Sequence, residues 1–163
     1  MARILIVGCG CRGRALASGL ARDGHAVRGT SRTPSGREQI EAAGIDGVVA
    51  DPDRLGTVLA QLEGVSVALW LMGTAAGDPR AVSALHGPRL QAMLERLVDT
   101  PVRGLVYESA GTVAPGLLAE GAALTRRAAA TWHMPVAVVD APPADADRWE
   151  AAMRAGVAEV LAA

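Results

Sequence analysis

Near its start the chain reads ILIVGCGCRGRALASGLARDGHAVRGTSR from Ile4 to Arg32, and this stretch decides the fold. It begins with four aliphatic side chains in a row, a pattern typical of a strand that is buried on both faces. The motif Gly8-x-Gly10-x-x-Gly13 follows at once, and apolar residues then recur at helical spacing as far as Asp23-Gly24. A second strand is predicted over residues 25–30. The stretch therefore predicts a strand, a glycine turn, a helix and a parallel second strand.

Apolar runs and helical patterns continue to alternate along the rest of the chain. Further strands are predicted at residues 45–50, 65–71, 102–107 and 135–139. Helices are predicted at residues 37–43, 51–62, 79–98, 117–130 and 145–161, with Pro52 in a first helical turn and a break at His86-Gly87-Pro88. This order predicts an α/β fold, a doubly wound parallel sheet of about six strands in the order 3-2-1-4-5-6 with helices on both faces, the Rossmann fold. We expect residues 1–163 to form a single domain, with no room for a substantial second one.

The composition excludes several kinds of chemistry. All 16 basic residues are arginine, because the sequence contains no lysine. A phosphate loop that needs lysine, a Schiff base and a lysine-assisted catalytic tyrosine are therefore excluded within this chain. The net charge of −1 gives no support for binding to nucleic acid. No apolar run reaches the roughly 18 residues that span a bilayer, so we expect no membrane partner and a cytoplasmic location.

Both cysteines lie in the glycine motif, as Cys9 and Cys11. A structural zinc site needs about four ligands, and no second cluster is present, so no metal site is predicted. A disulfide between such near neighbours would be strained. We interpret both as small side chains that fill a crowded loop, and the alternative is an oxidisable Cys11 at the start of the helix.

The glycine motif, in this context, is typical of a dinucleotide site. Gly8 would permit the tight turn, Gly10 the close approach of a pyrophosphate, and Gly13 close packing of helix on strand. The helix N-terminus would stabilise the phosphate charge. The alternative is a glycine turn that serves packing alone.

The end of the second predicted strand discriminates between NAD and NADP. NAD sites usually place Asp or Glu there, to accept hydrogen bonds from the ribose 2′-hydroxyl. This chain has Thr30-Ser31-Arg32 instead, and a hydroxyl with a guanidinium suits a 2′-phosphate. NADP is therefore the predicted cofactor and NAD the alternative, with Arg12 and Arg37 as further sources of charge. An ordinary solvated side chain is the alternative for Arg32.

Two later loops also fall at carboxyl ends of predicted strands, where ligands bind in open α/β sheets. Asp51 could accept a hydrogen bond from an adenine amino group, or simply start a helix. The loop after the fourth strand would present small residues and backbone to a ribose. The complete predicted cofactor site is Gly8, Cys9, Gly10, Cys11, Arg12, Gly13, Thr30, Ser31, Arg32, Asp51, Met72, Gly73 and Thr74.

The segment from Ile4 to Arg32 resembles the cofactor half of atypical extended short-chain dehydrogenase/reductases, the epimerase/dehydratase-like group. The segment Glu108-Ser109-Ala110-Gly111-Thr112-Val113 is similar to the stretch of that family that follows strand five and carries its active-site serine. The resemblance extends to about Val139 and implies that Ser109 stands at the serine position. In that family a Tyr-x-x-x-Lys pair carries out proton transfer.

The chain departs from the family pattern in its catalytic residues. It has no lysine, and its single tyrosine, Tyr107, precedes the serine instead of following it. The family's C-terminal substrate-binding region is also expected to be missing. The candidate catalytic residues are Ser109, His86 and Tyr107, each with an ordinary structural role as its alternative. Since Tyr107 and Glu108 alternate along a strand, only one of them can face a ligand.

Two functions fit these observations. The first is an NADP(H)-binding module or sensor that carries out no chemistry. The second is an NADP-dependent oxidoreductase or epimerase-like enzyme with non-standard catalytic residues, acting on an unknown small carbonyl or sugar-like molecule. A third interpretation is a scaffold protein that binds no cofactor. A homodimer is one interpretation of the apolar stripe Leu90, Met93, Leu94 and Leu97, and core packing is the other.

Overall fold

The computed structural model describes every residue from Met1 to Ala163. Its strands are β1 (Arg3–Val7), β2 (Ala26–Ser31), β3 (Asp46–Val49), β4 (Val67–Trp70), β5 (Gly104–Glu108) and β6 (Val136–Val139). Its helices are α1 (Cys11–Arg22), α2 (Pro34–Ala42), α3 (Leu55–Leu59), α4 (Pro79–Leu85), α5 (Pro88–Leu97), α6 (Pro115–Trp132) and α7 (Ala146–Ala162). None of these helices combines the length and the apolar character that crossing a membrane requires.

The strands form a single 6-stranded sheet in the order β3-β2-β1-β4-β5-β6. Every pairing is parallel, which confirms the predicted fold class and strand order. The order reverses between β1 and β4, where Val7 pairs with Trp70. In such sheets the connections leave a crevice at the carboxyl ends of the strands beside this reversal. The topology therefore places such a crevice just beyond these two residues.

Apolar side chains form a core on each face of the sheet. In β1, Ile4 and Ile6 pack with residues of α1 and α7, whereas Leu5 and Val7 pack with residues of α5 and α6. This alternation follows from the two-residue period of a strand. All four side chains are fully buried, as the continuous apolar run predicts for a strand covered on both faces.

The apolar stripe of α5 belongs to one of these cores. Its four residues are each no more than 1% exposed, so core packing is the correct interpretation and the stripe is not an exposed homodimer face: Leu90, Met93, Leu94 and Leu97. The predicted break in this region is confirmed, since α4 ends at Leu85 and α5 begins at Pro88.

Local backbone structure sets the start of α3 and the end of α6. The helix predicted from residue 51 begins only at Leu55, because Asp51 first forms a turn in which its Oδ1 accepts a hydrogen bond from the Asp53 amide at 2.9 Å. Pro52 is therefore in this turn and not in a first helical turn. His133 ends α6 as its C-cap in the left-handed conformation, with φ of 53°.

Candidate functional site

The glycine motif forms the turn between β1 and α1. Gly8 has φ of 87°, and a Cβ there would come within 2.5 Å of the Leu71 carbonyl oxygen, so only glycine fits. A Cβ at Gly13 would lie 3.3 Å from the Gly8 carbonyl oxygen, which shows how closely α1 packs on the turn. A Cβ at Gly10 would meet no atom within 4 Å. Space that a ligand can occupy therefore lies directly against the Gly10 backbone.

The start of α1 is suited to an anion. Its N-cap residue is Gly10, which has no side chain to cap the helix, and its first turn contains no acidic residue. The first amide groups of a helix have no acceptor within the helix and carry its partial positive charge. A phosphate group next to Gly10 would be stabilised by both effects.

The end of β2 holds the glycine turn in place. The Gly8 amide donates to Thr30 Oγ1 at 3.2 Å, and the Cys9 amide donates to the Thr30 carbonyl oxygen at 3.0 Å. Cys9 is buried, and a Cβ at Gly29 would lie only 2.6 Å from its Sγ. Burial raises the pKa of the Cys9 thiol to about 11, against the opposing effect of the Arg14 charge. Cys9 thus acts as a packing side chain, in agreement with its interpretation as a loop filler.

A cavity of about 440 Å³ opens above this turn, at the carboxyl ends of β1, β2 and β4, and we call it the glycine-loop cavity. The predicted cofactor residues that line it are Gly8, Cys9, Gly10, Thr30, Ser31, Arg32, Met72 and Thr74. The predicted residues outside its lining are Cys11, Arg12, Gly13, Asp51 and Gly73. The structure therefore gathers most of the predicted cofactor residues around one cavity.

Arginines are the only charged residues of the glycine-loop cavity. Arg32 Nη1 lies 2.5 Å from Asp53 Oδ2 and 3.4 Å from Asp51 Oδ1. Asp51 therefore lies beside Arg32, and its contact with an adenine stays a prediction. Arg14 also lines the cavity, is half-buried and has no ion-pair partner. The sequence prediction missed it, although it follows Gly10 by one helical turn and so shares a face with the start of α1.

Arg12 enters a buried cluster instead of the cavity. Its Nη1 lies 2.6 Å from Glu108 Oε2, its Nη2 donates to Thr74 Oγ1 at 2.9 Å, and its guanidinium carbon lies 4.7 Å from the centre of the Trp149 ring. Glu108 also accepts hydrogen bonds from the Gly73 amide and from Trp149 Nε1, both at 2.8 Å. The charge of Arg12 is thus matched by Glu108, and a role for Arg12 in a phosphate site stays a prediction.

This Arg12–Glu108 cluster links four parts of the chain. The carboxylate of Glu108 is fully buried at the end of β5, and the groups that it binds come from α1, from α7 and from the loop after β4. A buried carboxylate is tolerated when its oxygens are paired and hydrogen-bonded in this way. The cluster therefore fixes the loop that contains Thr74.

A second cavity of about 560 Å³ lies at the carboxyl ends of β5 and β6, and we call it the Ser109 cavity. Ser109 lines it, and its hydroxyl donates to the Val139 carbonyl oxygen at 3.1 Å. Thr74 lines both cavities, so the two adjoin at this residue. Asp140 and Arg126 also line the Ser109 cavity and were not predicted. Asp140 could have been predicted from the sequence, because it directly follows a strand at the edge of the sheet where ligands bind in this fold.

His86 and Tyr107 are buried together and line neither cavity. Tyr107 Oη lies 2.6 Å from His86 Nδ1, and His86 Nε2 lies 2.9 Å from the Met72 carbonyl oxygen. Both side chains are 0% exposed. Burial lowers the pKa of His86 and raises that of Tyr107. We therefore carry neither catalytic prediction forward, because in this position neither side chain touches a ligand in either cavity.

One family model matches part of the chain. Residues 3–56 match the family described as NADP oxidoreductase coenzyme F420-dependent. The matched segment includes the glycine turn and Thr30-Ser31-Arg32. No curated protein matches the chain by sequence.

Several solved structures share the fold. UDP-glucose 4-epimerase from Brucella ovis in complex with NAD has a TM-score of 0.70 at 14% identity, over 85% of this chain and 51% of that one. A short-chain dehydrogenase/reductase superfamily protein from Agrobacterium tumefaciens with bound NAD has a TM-score of 0.68 at 22% identity, over 85% and 48%. Vestitone reductase from alfalfa has a TM-score of 0.62 at 14% identity, over 86% and 56%.

The chain thus spans about half the length of the solved structures that it matches. The TM-scores establish a common fold at these low identities, and the resemblance predicted from the sequence is confirmed at that level. The chain has the Rossmann fold that occurs in short-chain dehydrogenase/reductases and nucleotide-sugar epimerases, and the partial family match supports a nicotinamide dinucleotide as its cofactor.

Proposed function

We propose that this chain is a dinucleotide-binding domain that holds NADP(H) in the glycine-loop cavity. The observation that carries the proposal is the lining of that cavity, which combines the glycine turn and two arginines with no carboxylate. A ribose 2′-hydroxyl is usually recognised by Asp or Glu, whereas a 2′-phosphate is stabilised by guanidinium groups. The lining therefore favours NADP over NAD.

The pyrophosphate of the dinucleotide would lie against Gly10. The space next to its backbone is open to at least 4 Å, and the uncapped start of α1 faces it. Backbone amides at this position bind either dinucleotide equally well, because both carry the same pyrophosphate. The preference for NADP must then come from side chains.

Two arginines can supply that preference. Arg14 lines the cavity without an acidic partner, so its charge is available to a phosphate. Arg32 is available only if a phosphate competes with Asp53 and Asp51 for its guanidinium. A phosphate dianion that is hydrogen-bonded bidentately is a strong competitor for partly exposed ion pairs.

The test is a titration of the full chain with NADPH and with NADH, in which binding is measured by the fluorescence of the nucleotide. We expect NADPH to bind about tenfold or more tightly than NADH, and Arg32→Ala or Arg14→Ala to reduce this ratio by roughly one decade. Arg22→Ala, at the far end of the same helix α1, is the matched control and should leave the ratio unchanged. Equal affinity for the two nucleotides would contradict the NADP preference, and binding of neither at ~1 mM would overturn the whole proposal.

A second candidate function is an NADP-dependent oxidoreductase. It is favoured by the Ser109 cavity, which adjoins the proposed nucleotide site at Thr74 and has the size of a small-molecule site. The absence of a lysine and of a tyrosine on α6 favours the binding module instead. NADPH consumption measured over a panel of carbonyl compounds separates the two functions. Reproducible turnover that Ser109→Ala abolishes would establish the enzyme and reject the binding module.

A further inference from the structure

One face of α6 forms a wall of the Ser109 cavity. The residues on this face recur at helical spacing, and they are Pro115, Leu118, Ala119, Ala122 and Arg126. The two alanines lie between Leu118 and Arg126, so the middle of the wall is formed by short side chains. A ligand that lies along this wall meets an apolar surface that ends in a guanidinium group.

Arg126 and Asp140 are the only ionisable residues that line this cavity. Both are exposed, and neither is engaged in a hydrogen bond or an ion pair, whereas Arg12, Arg28 and Arg154 each hold a carboxylate. The cavity therefore presents one unpaired cation and one unpaired anion, which do not pair with each other.

This charge pattern selects for a particular kind of ligand. An anionic group would be bound by Arg126, and a guanidinium matches the two oxygens of a carboxylate. Asp140 would accept a hydrogen bond from a hydroxyl or ammonium group and would repel a second negative charge. Pro142 and Pro143, together with Leu118, supply apolar contacts for a short hydrocarbon chain.

We propose that the Ser109 cavity binds a small monocarboxylate that carries a hydrogen-bond donor, such as a hydroxy acid or an amino acid. Arg126 holds the carboxylate and Asp140 accepts from the donor. This inference rests on the proposed function for the identity of the adjoining site, since the bound molecule would lie beside the nucleotide at Thr74. It deepens that function by naming the class of small molecule.

The experiment is calorimetric titration of the full chain, with and without saturating NADPH. The probes are 2-hydroxy-4-methylpentanoate, its neutral amide, and 4-methylpentanoate, which lacks the donor. We expect the hydroxy acid to bind about tenfold more tightly than its amide, because only the acid pairs with Arg126. Arg126→Gln should abolish this difference. Arg127→Gln is the matched control, since it removes the next charge on α6, which lines a different groove.

Asp140 is tested by its own comparison. Asp140→Asn should weaken the hydroxy acid several-fold relative to 4-methylpentanoate, because only the first has a group that donates to the Asp140 carboxylate, whereas the loss of the Asp140 charge acts on both acids. Equal affinity of the wild-type chain for acid and amide would overturn the proposal, as would no binding of the acid at ~10 mM in a sample that binds NADPH. Binding of the acid in a sample that fails to bind NADPH would instead contradict the proposed function alone.

Discussion

At the scale of single residues, Glu108 is the position that the sequence describes least well. It ends a strand next to Ser109, where a carboxylate is most often solvated, yet its side chain is fully buried. Its hydrogen-bond partners are all distant in sequence, so no local sequence pattern predicts these contacts: Arg12, Gly73 and Trp149. A buried carboxylate is stable here because each of its oxygens is paired.

We expect Glu108→Gln to destabilise the chain by roughly 2–4 kcal/mol, because it removes the counter-charge of Arg12 and leaves the guanidinium partly desolvated. The measurement is the free energy of unfolding in urea. Asp46→Asn is the control, since it removes a carboxylate from the more exposed pair with Arg28 and should cost about 1 kcal/mol or less. Similar losses for the two variants would show that the Arg12–Glu108 cluster does not stabilise the fold.

At the scale of elements, the turn between β1 and α1 contains two glycines, Gly8 and Gly10, and the backbone requires glycine at only one of them. Gly8 is required by the backbone, because its positive φ and the nearby Leu71 carbonyl leave no room for a side chain. Gly10 has φ of −80° and open space around it, so the fold itself makes no demand for glycine there. Under the proposed function, a residue without a side chain at this position leaves space for the pyrophosphate.

The two alanine variants should accordingly behave differently. We expect Gly8→Ala to lower the free energy of unfolding by more than about 1 kcal/mol, since the new Cβ clashes and φ is unfavourable. Gly10→Ala should lose less stability than Gly8→Ala, since its cost is limited to a poorer N-cap, and yet bind NADPH at least tenfold more weakly, because its methyl group occupies the space next to the helix start. Thermal unfolding and NADPH titration of both variants measure this. Unchanged NADPH affinity in Gly10→Ala would count against a pyrophosphate at that position.

At the scale of the whole molecule, one sheet brings the carboxyl ends of all six strands to the same edge. Both cavities lie along this edge, and they adjoin at Thr74 in the loop after β4. The buried His86 and Tyr107 lie beneath the same loop, with His86 bonded to the Met72 carbonyl. The fold thus supports the region between the two cavities from below with a polar pair that is shielded from solvent.

The burial of His86 makes the stability of the whole chain depend on pH. Burial lowers the pKa of folded His86, whereas an unfolded histidine titrates near 6.5. As the pH falls below about 6.5, the unfolded chain gains a proton that the folded chain does not, so the free energy of unfolding decreases. The decrease continues until the pH reaches the folded pKa, with a slope of up to about 1.4 kcal/mol per pH unit from this group.

Urea unfolding at about pH 7.5 and about pH 5.5 measures this dependence. His86→Gln should lose less stability between the two values than the wild type. His133→Asn should behave like the wild type, because His133 is exposed and asparagine tolerates its left-handed backbone. The same loss in wild type and His86→Gln would show that His86 does not titrate differently in the two states.

Particular residues show how far the sequence can be read. The alternation of apolar runs with helical patterns along the chain predicted all strands and their order. Burial on both faces of a parallel sheet requires continuous apolar runs such as Ile4–Val7, which make the strands recognisable. The glycine motif and Thr30-Ser31-Arg32 predicted the lining of one cavity, because consecutive residues at a strand end stay together in any fold of this class. Arg126 lies on a helix that the sequence predicts, but nothing local shows that its face turns to a cavity.

The sequence by itself therefore determined the fold class, the strand order, the glycine turn and the absence of lysine chemistry. Only the tertiary structure decided which charges remain free for a ligand. Arg12 is paired by Glu108 and Arg32 by Asp53, whereas Arg14 and Arg126 keep their charges unpaired. The physical reason is that local patterns fix hydrogen bonds and burial along the chain, whereas ion pairs form between side chains that only the packed sheet and helices bring together.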